Sequence, residues 1–337
     1  MSILINLPLP PPPADKHGYP WELSASAAVC TSSSLPRITI VTPSYNQGHY
    51  LEETIRSVLA QGYPNLEYIV IDGGSKDNSV EIIQKYAAYL SYWVSEPDHG
   101  QAHAINKGFA RATGEVMGWL NSDDLMLPGA LCAIGQTFDA NPATSVVYGL
   151  RKVIDANSRV QTRWLRGIPD EFIFKRVDFI PQETVYWSRR VWEQVGGLDE
   201  SFQFALDYEF FLRILQRGYD FNLLPHYIGA FRMYADGKTS AMPEIMHLEL
   251  PRIYEKYRGQ AMTLTQASAD LGWRRRMVLR LLKEMEHQSF MDNARLAWLL
   301  MQAANNPLLS LPLIALHRVY RLLRDLSRRQ LTKVKDE

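Results

Sequence analysis

The chain has 337 residues, 46% hydrophobic and 21% charged, which places it among ordinary globular proteins and excludes disordered, collagen-like and disulfide-scaffold classes. Lys+Arg and Asp+Glu both number 36, so no overall charge advertises nucleic acid or an anionic membrane as a partner. The balance is local rather than uniform: residues 1–250 carry 20 basic and 28 acidic side chains, residues 251–337 carry 16 and 8. Cys30 and Cys132 are a sparse pair, which argues for a reducing compartment and against a structural zinc site. The opening MSILINLPLPPPPADK has no basic n-region, and no run approaches the roughly 18 apolar residues of a membrane span. A cytoplasmic protein is the expectation.

Residues 1–36 read as a Pro-rich flexible segment, with Pro10 to Pro13 favouring a polyproline conformation and Trp21 able to dock elsewhere. From Arg37 strands alternate with helices. ITIVTP (38–43) is a β-branched run suited to a strand buried on both faces. LEETIRSVLA follows, with Leu51, Ile55, Val58 and Leu59 on one helical face. LEYIVID (66–72) is a second strand; it leads through Gly73-Gly74-Ser75 into a helix carrying Val80, Ile83 and Tyr86, with Ser75 the expected N-cap. SYWVS (91–95) and VMGWL (116–120) are the third and fourth strands, separated by a helix with Ile105 and Phe109. After about residue 140, SVVYGL and RKVIDANSRVQTR suit a strand pair turning about Asp155 to Ser158. RRVWEQVGG reads as a short helix stopped by Gly196-Gly197, and DYEFFLRILQRG (207–218) as a longer one with Phe210, Phe211, Ile214 and Leu215 inward. From 246 to 337 the pattern is helical only, rich in Leu and Arg.

This alternation implies an α/β, Rossmann-like, mostly parallel sheet, in which ligands bind beyond the carboxyl ends of the strands. The segments at those ends are Pro43-Ser44-Tyr45-Asn46, Asp72-Gly73-Gly74-Ser75, Glu96-Pro97-Asp98 and Asn121-Ser122-Asp123-Asp124. Asp72 is placed either to accept a hydrogen bond from a base or to cap the following helix. Adjacent Asp123 and Asp124 repel unless a cation stands beside them, and oxygen ligands suit Mg²⁺ or Mn²⁺. Asp207 and Glu209 open a helix, where acids favour the dipole and one of them can face a site as a base. G-x-G-x-x-G is absent, and Gly237-Lys238-Thr239 lacks the first glycine of a P-loop. His99 and His103 have the spacing of a metal pair, without H-E-x-x-H or a third ligand in view. Leu264 to Leu282 loosely has the form of a helix-turn-helix, but arginine-bearing helical pairs are common and DNA is not the expected partner.

Taken in order, these segments resemble the inverting family 2 glycosyltransferases of GT-A fold, over Arg37 to Met242. TPSYNQGHYLEETIRSVLAQGYPNLEYIVIDGGSKDNS is similar to the family's nucleotide-binding opening; the resemblance assigns Asp72 to a uracil-type base and puts Pro43, Tyr45 and Asn46 beside the nucleoside. EPDHGQAHAINKGFARATGE resembles the nucleotide-sugar segment, implying ribose or diphosphate contacts for Gln101, Asn106 and Lys107. GWLNSDDLMLPGAL resembles the metal segment, with Asp123 as ligand and Asn121 where the first acid of an Asp-x-Asp motif commonly stands. FALDYEFFLRI resembles the acceptor-side segment and makes Asp207 the base. In FRMYADGKTS, Tyr234 replaces a frequent His, leaving Arg232 and Lys238 as phosphate contacts; Gln182 and Glu183, in DFIPQETVYW, either border the acceptor or belong to a loop anchored by its aromatics.

The resemblance implies a GT-A catalytic domain over 37–245 that takes a sugar from a nucleotide-diphospho-sugar, UDP-linked, to a saccharide or lipid-linked hydroxyl with inversion. Mn²⁺ or Mg²⁺ is the implied cofactor and surface polysaccharide synthesis the implied setting. The departures at Asn121, Leu206 and Tyr234 keep open a second reading, a nucleotide-sugar-binding or scaffold protein without catalysis. A sugar-1-phosphate nucleotidyltransferase would show an early Gly-rich loop with a basic residue, which is missing. The basic helices after 246 suit either docking on the domain or peripheral contact with the cytoplasmic face of a membrane.

Overall fold

The computed structural model describes residues 8–22, 30, 34–163 and 180–259. The chain divides into two compact units, residues 1–169 with 179–249 and residues 170–178 with 250–337; all the candidate site residues belong to the first. The expected helices beyond 259, including the 264–282 segment, lie outside the described residues.

Four strands form the parallel half of the sheet: β1 (Ile38–Ser44), β2 (Leu66–Asp72), β3 (Tyr92–Ser95) and β4 (Val116–Trp119). β1 pairs with β2 and with β4, and β2 with β3, all in parallel. The remainder is β5 (Leu125–Met126), β6 (Val146–Ile154), β7 (Val160–Arg163), β8 (Val185–Ser188) and β9 (Phe221–Arg232). Their order is β3-β2-β1-β4-β8-β6-β9-β5, with β7 on β6. Here β4–β8, β8–β6, β6–β7 and β5–β9 are antiparallel, and β6–β9 is parallel. The sheet is thus parallel in its first half and mixed in its second, less uniform than the alternation of elements suggests. The β6–β7 pair turns at Asp155 to Ser158 as expected, closed by Ser158 N–H to Asp155 C=O at 3.0 Å.

Helices cover both faces: α1 (Gly48–Leu59), α2 (Ser79–Tyr86), α3 (Gln101–Phe109), α4 (Ala130–Ala140), α5 (Arg189–Val195) and α6 (Leu206–Gln216). Short α7 (Lys238–Ala241) and α8 (Pro243–Arg258) follow β9. Every residue of β1 is buried. The period of two then sorts its side chains. Ile38 and Ile40 join one core with Leu51, Ile55 and Val58 of α1, Ile83 of α2 and Ile134 of α4. Val41 points the other way, where α3 comes so close that a Cβ at Gly108 would stand 2.5 Å from it. On that face Trp119, Trp187, Phe210 and Trp192 interlock, with ring centroids 5.2–6.3 Å apart.

Strand order decides where the crevice lies. From β1 the chain steps outward to β2 and β3, then returns to β4 on the other side of β1. The winding therefore reverses between β1 and β4, and loops leaving their carboxyl ends diverge there. Ser44, Asp72 and Ser95 stand side by side in register at that edge, and Asn121 to Asp124 follow β4.

Two expectations are corrected here. Residues 8–22 pack on the domain rather than remaining free, because buried Arg56 of α1 donates to the carbonyls of Pro10, Pro20 and Trp21 at 2.7, 3.4 and 3.0 Å. Its guanidinium also lies 5.3 Å from the Trp21 ring centroid. Tyr19 adds hydrogen bonds to the Ser57 and Met126 carbonyls at 3.0 and 2.7 Å. Cys30 and Cys132, 102 residues apart, are joined in a disulfide with Cα atoms 5.5 Å apart, which runs against the reducing compartment that their sparseness suggests.

Replacing Arg56 by Ala would leave those carbonyls and the Tyr86 hydroxyl short of a donor. The expected loss is about 2–4 kcal/mol of stability, read as a lowered urea midpoint together with faster proteolysis within residues 8–22.

Candidate active site

The turn after β2 is built around Asp72, which is 0% exposed. Its Oδ2 accepts the N–H groups of Gly74 and Ser75 at 3.1 and 2.9 Å and the Ser95 hydroxyl at 2.6 Å. Its Oδ1 accepts the Ser75 hydroxyl at 2.5 Å. Gly74 adopts φ +81°, which a side chain would oppose. Asp72 therefore shapes the turn directly, and Ser75 serves it instead of capping a helix; α2 begins four residues later at Ser79. Next to it, Asn46 adopts φ 51° and ties the two loops. Its N–H donates to Ser75 Oγ and its Oδ1 accepts the Lys76 N–H, both at 2.8 Å. Pro43 is buried in β1 opposite Ile71. Tyr45 is 61% exposed, a free ring at the crevice edge. Ser44 Oγ is buried with no hydrogen-bond partner. An orphan hydroxyl in register with Asp72 is a group that a ligand could satisfy, and its position in the Pro-Ser-Tyr-Asn segment is the signal that could have found it.

Beyond β4 the polar groups form a chain. Gln101 Nε2 donates to Asn121 Oδ1 at 2.7 Å, while Lys238 Nζ donates to Gln101 Oε1 at 2.5 Å. Asn121 Nδ2 donates to Gln182 Oε1 at 3.1 Å, and Gln182 Nε2 to the Trp119 carbonyl at 2.9 Å. Asp124 turns inward, accepting the Arg232 N–H at 2.9 Å. Asp123 receives the Tyr234 hydroxyl on Oδ2 at 2.9 Å. Burial holds both carboxyls above the usual carboxylate range, and for Asp124 the neighbouring Asp123 charge adds to the shift.

Asp207 stands in the first turn of α6. Burial raises its carboxyl above the usual range, opposed by the Tyr208 N–H at 2.8 Å and by the Lys238 charge. Lys238 is itself lowered by burial, with Asp207, Glu249 and Asp123 pulling the other way. One ammonium thus stands close enough to act on two carboxylates 84 positions apart in sequence. Glu249, which the sequence reading missed, fixes the approach to α6: its carboxylate accepts the N–H groups of Gln203, Phe204 and Ala205 at 2.6, 2.9 and 2.8 Å. An acid 44–46 positions away leaves no local pattern to find.

Three of the expected donor contacts are engaged elsewhere. Arg232 is 2% exposed. Its guanidinium donates to Glu53 Oε2 (2.9 Å), Asp123 O (2.7 Å), Ser158 Oγ (2.9 Å) and Asp155 O (3.1 Å), which commits it to loop scaffolding rather than to a diphosphate. Asn106 clamps residues 198–200, exchanging hydrogen bonds with the Leu198 backbone at 2.8 and 2.9 Å and donating to Glu200 Oε1 at 2.9 Å. Lys107 pairs with Glu96. Glu183, buried, holds Arg151 in a two-point contact at 2.6 and 2.7 Å.

The Glycosyl transferase family 2 model matches residues 39–239. The chain belongs to that family. An uncharacterized glycosyltransferase of Mycobacterium tuberculosis is 30% identical over 187 residues, covering 54% of this chain and 70% of the relative. The O-antigen biosynthesis protein RfbC of Myxococcus xanthus is 27% identical over 219 residues, covering 61% of this chain but 17% of that protein. In fold, the mannosyltransferase PcManGT from Pyrobaculum calidifontis, in complex with GDP-Man and Mn²⁺, aligns with a TM-score of 0.54 at 20% identity, covering 82% of each chain. Residues 1–349 of Staphylococcus aureus TarS align with a TM-score of 0.51 at 17% identity, covering 82% of this chain and 81% of that one. The family and these GT-A-like likenesses make the protein an α/β glycosyltransferase.

Tyr234→Phe removes the hydroxyl that occupies one Asp123 oxygen. One hydrogen bond of about 1 kcal/mol corresponds to roughly fivefold. If Asp123 holds a divalent ion through its other oxygen, that hydrogen bond orients the carboxylate, and Mn²⁺ should bind several-fold more weakly in the variant, measured by the loss of free-Mn²⁺ paramagnetic resonance signal on titration.

Proposed function

We propose that this glycosyltransferase moves a sugar from a nucleotide-diphospho-sugar, UDP-linked, to a hydroxyl of a saccharide or lipid-linked acceptor with inversion, in the making of a surface polysaccharide. The observation that carries the reading is the half-buried Lys238 ammonium, hydrogen-bonded to Gln101 and within electrostatic reach of both Asp123 and Asp207. A donor-side acid and an acceptor-side acid about one ammonium is what a displacement at an anomeric carbon needs.

The residues fit a divalent cation. Adjacent carboxyls, Asp124 buried and Asp123 half-buried, stay above their usual range despite the nearby Lys238 and Arg232, and a divalent ion would supply the further positive charge. Asp123 would hold it through oxygen, and Asn121 stands in reach as a neutral partner bonded to Gln101 and Gln182. When bound, a Mn²⁺ or Mg²⁺ ion stabilises the negative charge that develops on the leaving diphosphate. Lys238 contributes charge of the same sign to that region. Asp207, ionised, takes the proton of the acceptor hydroxyl as it attacks the anomeric carbon from the side opposite the nucleoside diphosphate. Pro43, Ser44, Tyr45, Asn46 and Asp72 border the nucleoside, with Asp72 acting through the turn that it organises. The kinship with an O-antigen biosynthesis protein supports the polysaccharide setting. Among the described residues no helix is long and apolar enough to cross a membrane, and peripheral contact through the basic residues after 259 is part of the proposal.

The donor is found by screening nucleotide sugars for thermal stabilisation in the presence of Mn²⁺, since a true donor stabilises the folded state by mass action. Asp207→Asn should lower transfer by more than about 100-fold while leaving that donor-induced shift intact. Near-normal turnover in the variant would remove Asp207 as the base, and nucleotide binding without any sugar transfer in the parent would favour a non-catalytic protein.

The pH profile has a defined sign. Because burial raises the Asp207 pKa, the carboxylate needed for catalysis is lost on acidification at a higher pH than an exposed Asp would show. The acid limb of kcat/KM should lie above the usual carboxylate range and move up or down with substitutions at Lys238: Lys238→Met should shift it further upward.

A further inference from the structure

His99, just ahead of α3, and His103, in its first turn, are four residues apart but have no third ligand nearby in sequence. The fold supplies one. Glu200, from the loop before α6, brings a carboxylate oxygen to the two imidazoles, and the ligand atoms of all three lie within 4.8 Å of one another. We propose that His99, His103 and Glu200 form a second cation site, separate from Asp123, for a borderline metal ion of the Zn²⁺ class.

The chemistry of the donor set separates it from the Asp123 site. Two nitrogens and one oxygen suit Zn²⁺ and its neighbours, whereas an all-oxygen site suits Mg²⁺ or Mn²⁺. Three protein ligands with water in the fourth place is a standard zinc arrangement. Zinc bonds of about 2.0–2.2 Å put tetrahedral ligands roughly 3.4 Å apart, so the side chains need to close by about an ångström or more. His99 and Glu200 are exposed and His103 half-buried, which leaves the first two free to make that adjustment.

The surroundings hold the ligands in place. The imidazoles stack with centroids 4.7 Å apart and planes at 27°. His103 Nδ1 accepts the His99 N–H over 3.3 Å, a long bond that an ion at Nδ1 would replace at little cost. Asn106 donates to Glu200 Oε1 at 2.9 Å, leaving the other carboxylate oxygen for a metal. The same amide is locked by the Leu198 backbone at 2.8 and 2.9 Å, so the loop carrying Glu200 is already registered on α3. An outer hydrogen bond that orients a ligating carboxylate is a usual companion of metal sites. Asn106, expected to touch the donor, acquires a purpose here.

The site would join two segments that matter for transfer. His99 precedes Gln101, which contacts Asn121 and Lys238, and Glu200 precedes Asp207 by seven residues. A bound ion would cross-link the donor-side helix α3 to the entrance of α6.

The test uses the full chain, freed of metal by chelation and titrated with Co²⁺, whose visible ligand-field bands report nitrogen and oxygen ligation in a tetrahedral site. The expected result is one Co²⁺ with intense bands, displaced by Zn²⁺, retained in Asp123→Asn and weakened at least about tenfold in affinity by His103→Ala. Glu200→Gln, at an exposed position, should weaken it likewise without altering the thermal midpoint of the metal-free protein. Zn²⁺ should raise the thermal midpoint of the parent and not of His103→Ala. Bands absent from the parent, unchanged by His103→Ala and Glu200→Gln, or lost in Asp123→Asn would each overturn the proposal.

Discussion

A buried guanidinium holds the donor-side loops together. Removing Arg232 from water costs several kcal/mol unless its charge and its donors are all met. They are met from three directions: Glu53 of α1, the Asp123 carbonyl after β4, and the Asp155 carbonyl and Ser158 hydroxyl in the β6–β7 turn. The Tyr50 ring lies beneath it, 4.5 Å from centroid to guanidinium carbon. Its own N–H turns Asp124 inward, which leaves Asp123 as the outward member of the pair. The orientation of the acidic segment therefore follows from a residue at the end of β9, more than 100 positions away. Asp123 is presented because Arg232 is unavailable for anything else.

The acceptor side rests on an analogous device of opposite sign. Three consecutive N–H groups ahead of α6 point at the Glu249 carboxylate, in the manner of an anion at a helix N-terminus. Glu209, one turn into α6 and fully buried, is neutralised by Arg213, whose guanidinium also reaches the Val195 and Gly197 carbonyls. Asp207 is the acid of this turn left facing Lys238. Each side of the candidate site has a buried ion pair that sets its neighbour's direction, and Asp123 and Asp207 are the acids there with no arginine ion pair among the described residues.

Much of this was legible in the chain, and the boundary of legibility has a physical form. Strands β1, β2 and β4 read directly, because burial on both faces demands apolar runs and the polar residues at their ends stand out against them. The hairpin at Asp155 to Ser158 and helices α5 and α6 read equally well from turn residues and from the 3.6-residue period. Side-chain partners did not. Asn106 and Lys107 lie in the right segment, yet their partners are Leu198, Glu200 and Glu96, none of which the local pattern indicates. The prolines of residues 8–13 were misread as a free tail because composition shows the missing N–H donors and hides the carbonyls. Those carbonyls accept from Arg56 and Tyr89. Strand order was hidden too: alternation of elements is the same for a fully parallel sheet and for this half-mixed one.

The bond between Cys30 and Cys132 closes a ring of chain 102 residues in span. Inside that ring lie β1 to β4, α1 to α3, and every donor-side residue from Pro43 to Asp124; Asp207, Lys238 and Glu249 lie outside it. In the unfolded, oxidised chain residues 30–132 form a closed loop and the residues after 132 are not bridged to it. Loop closure of this length removes denatured-state entropy worth about 4.7 kcal/mol. Oxidation thus limits the disorder of the segment that carries Asp72 and Asp123 and leaves unconstrained the one that carries Asp207 and Lys238.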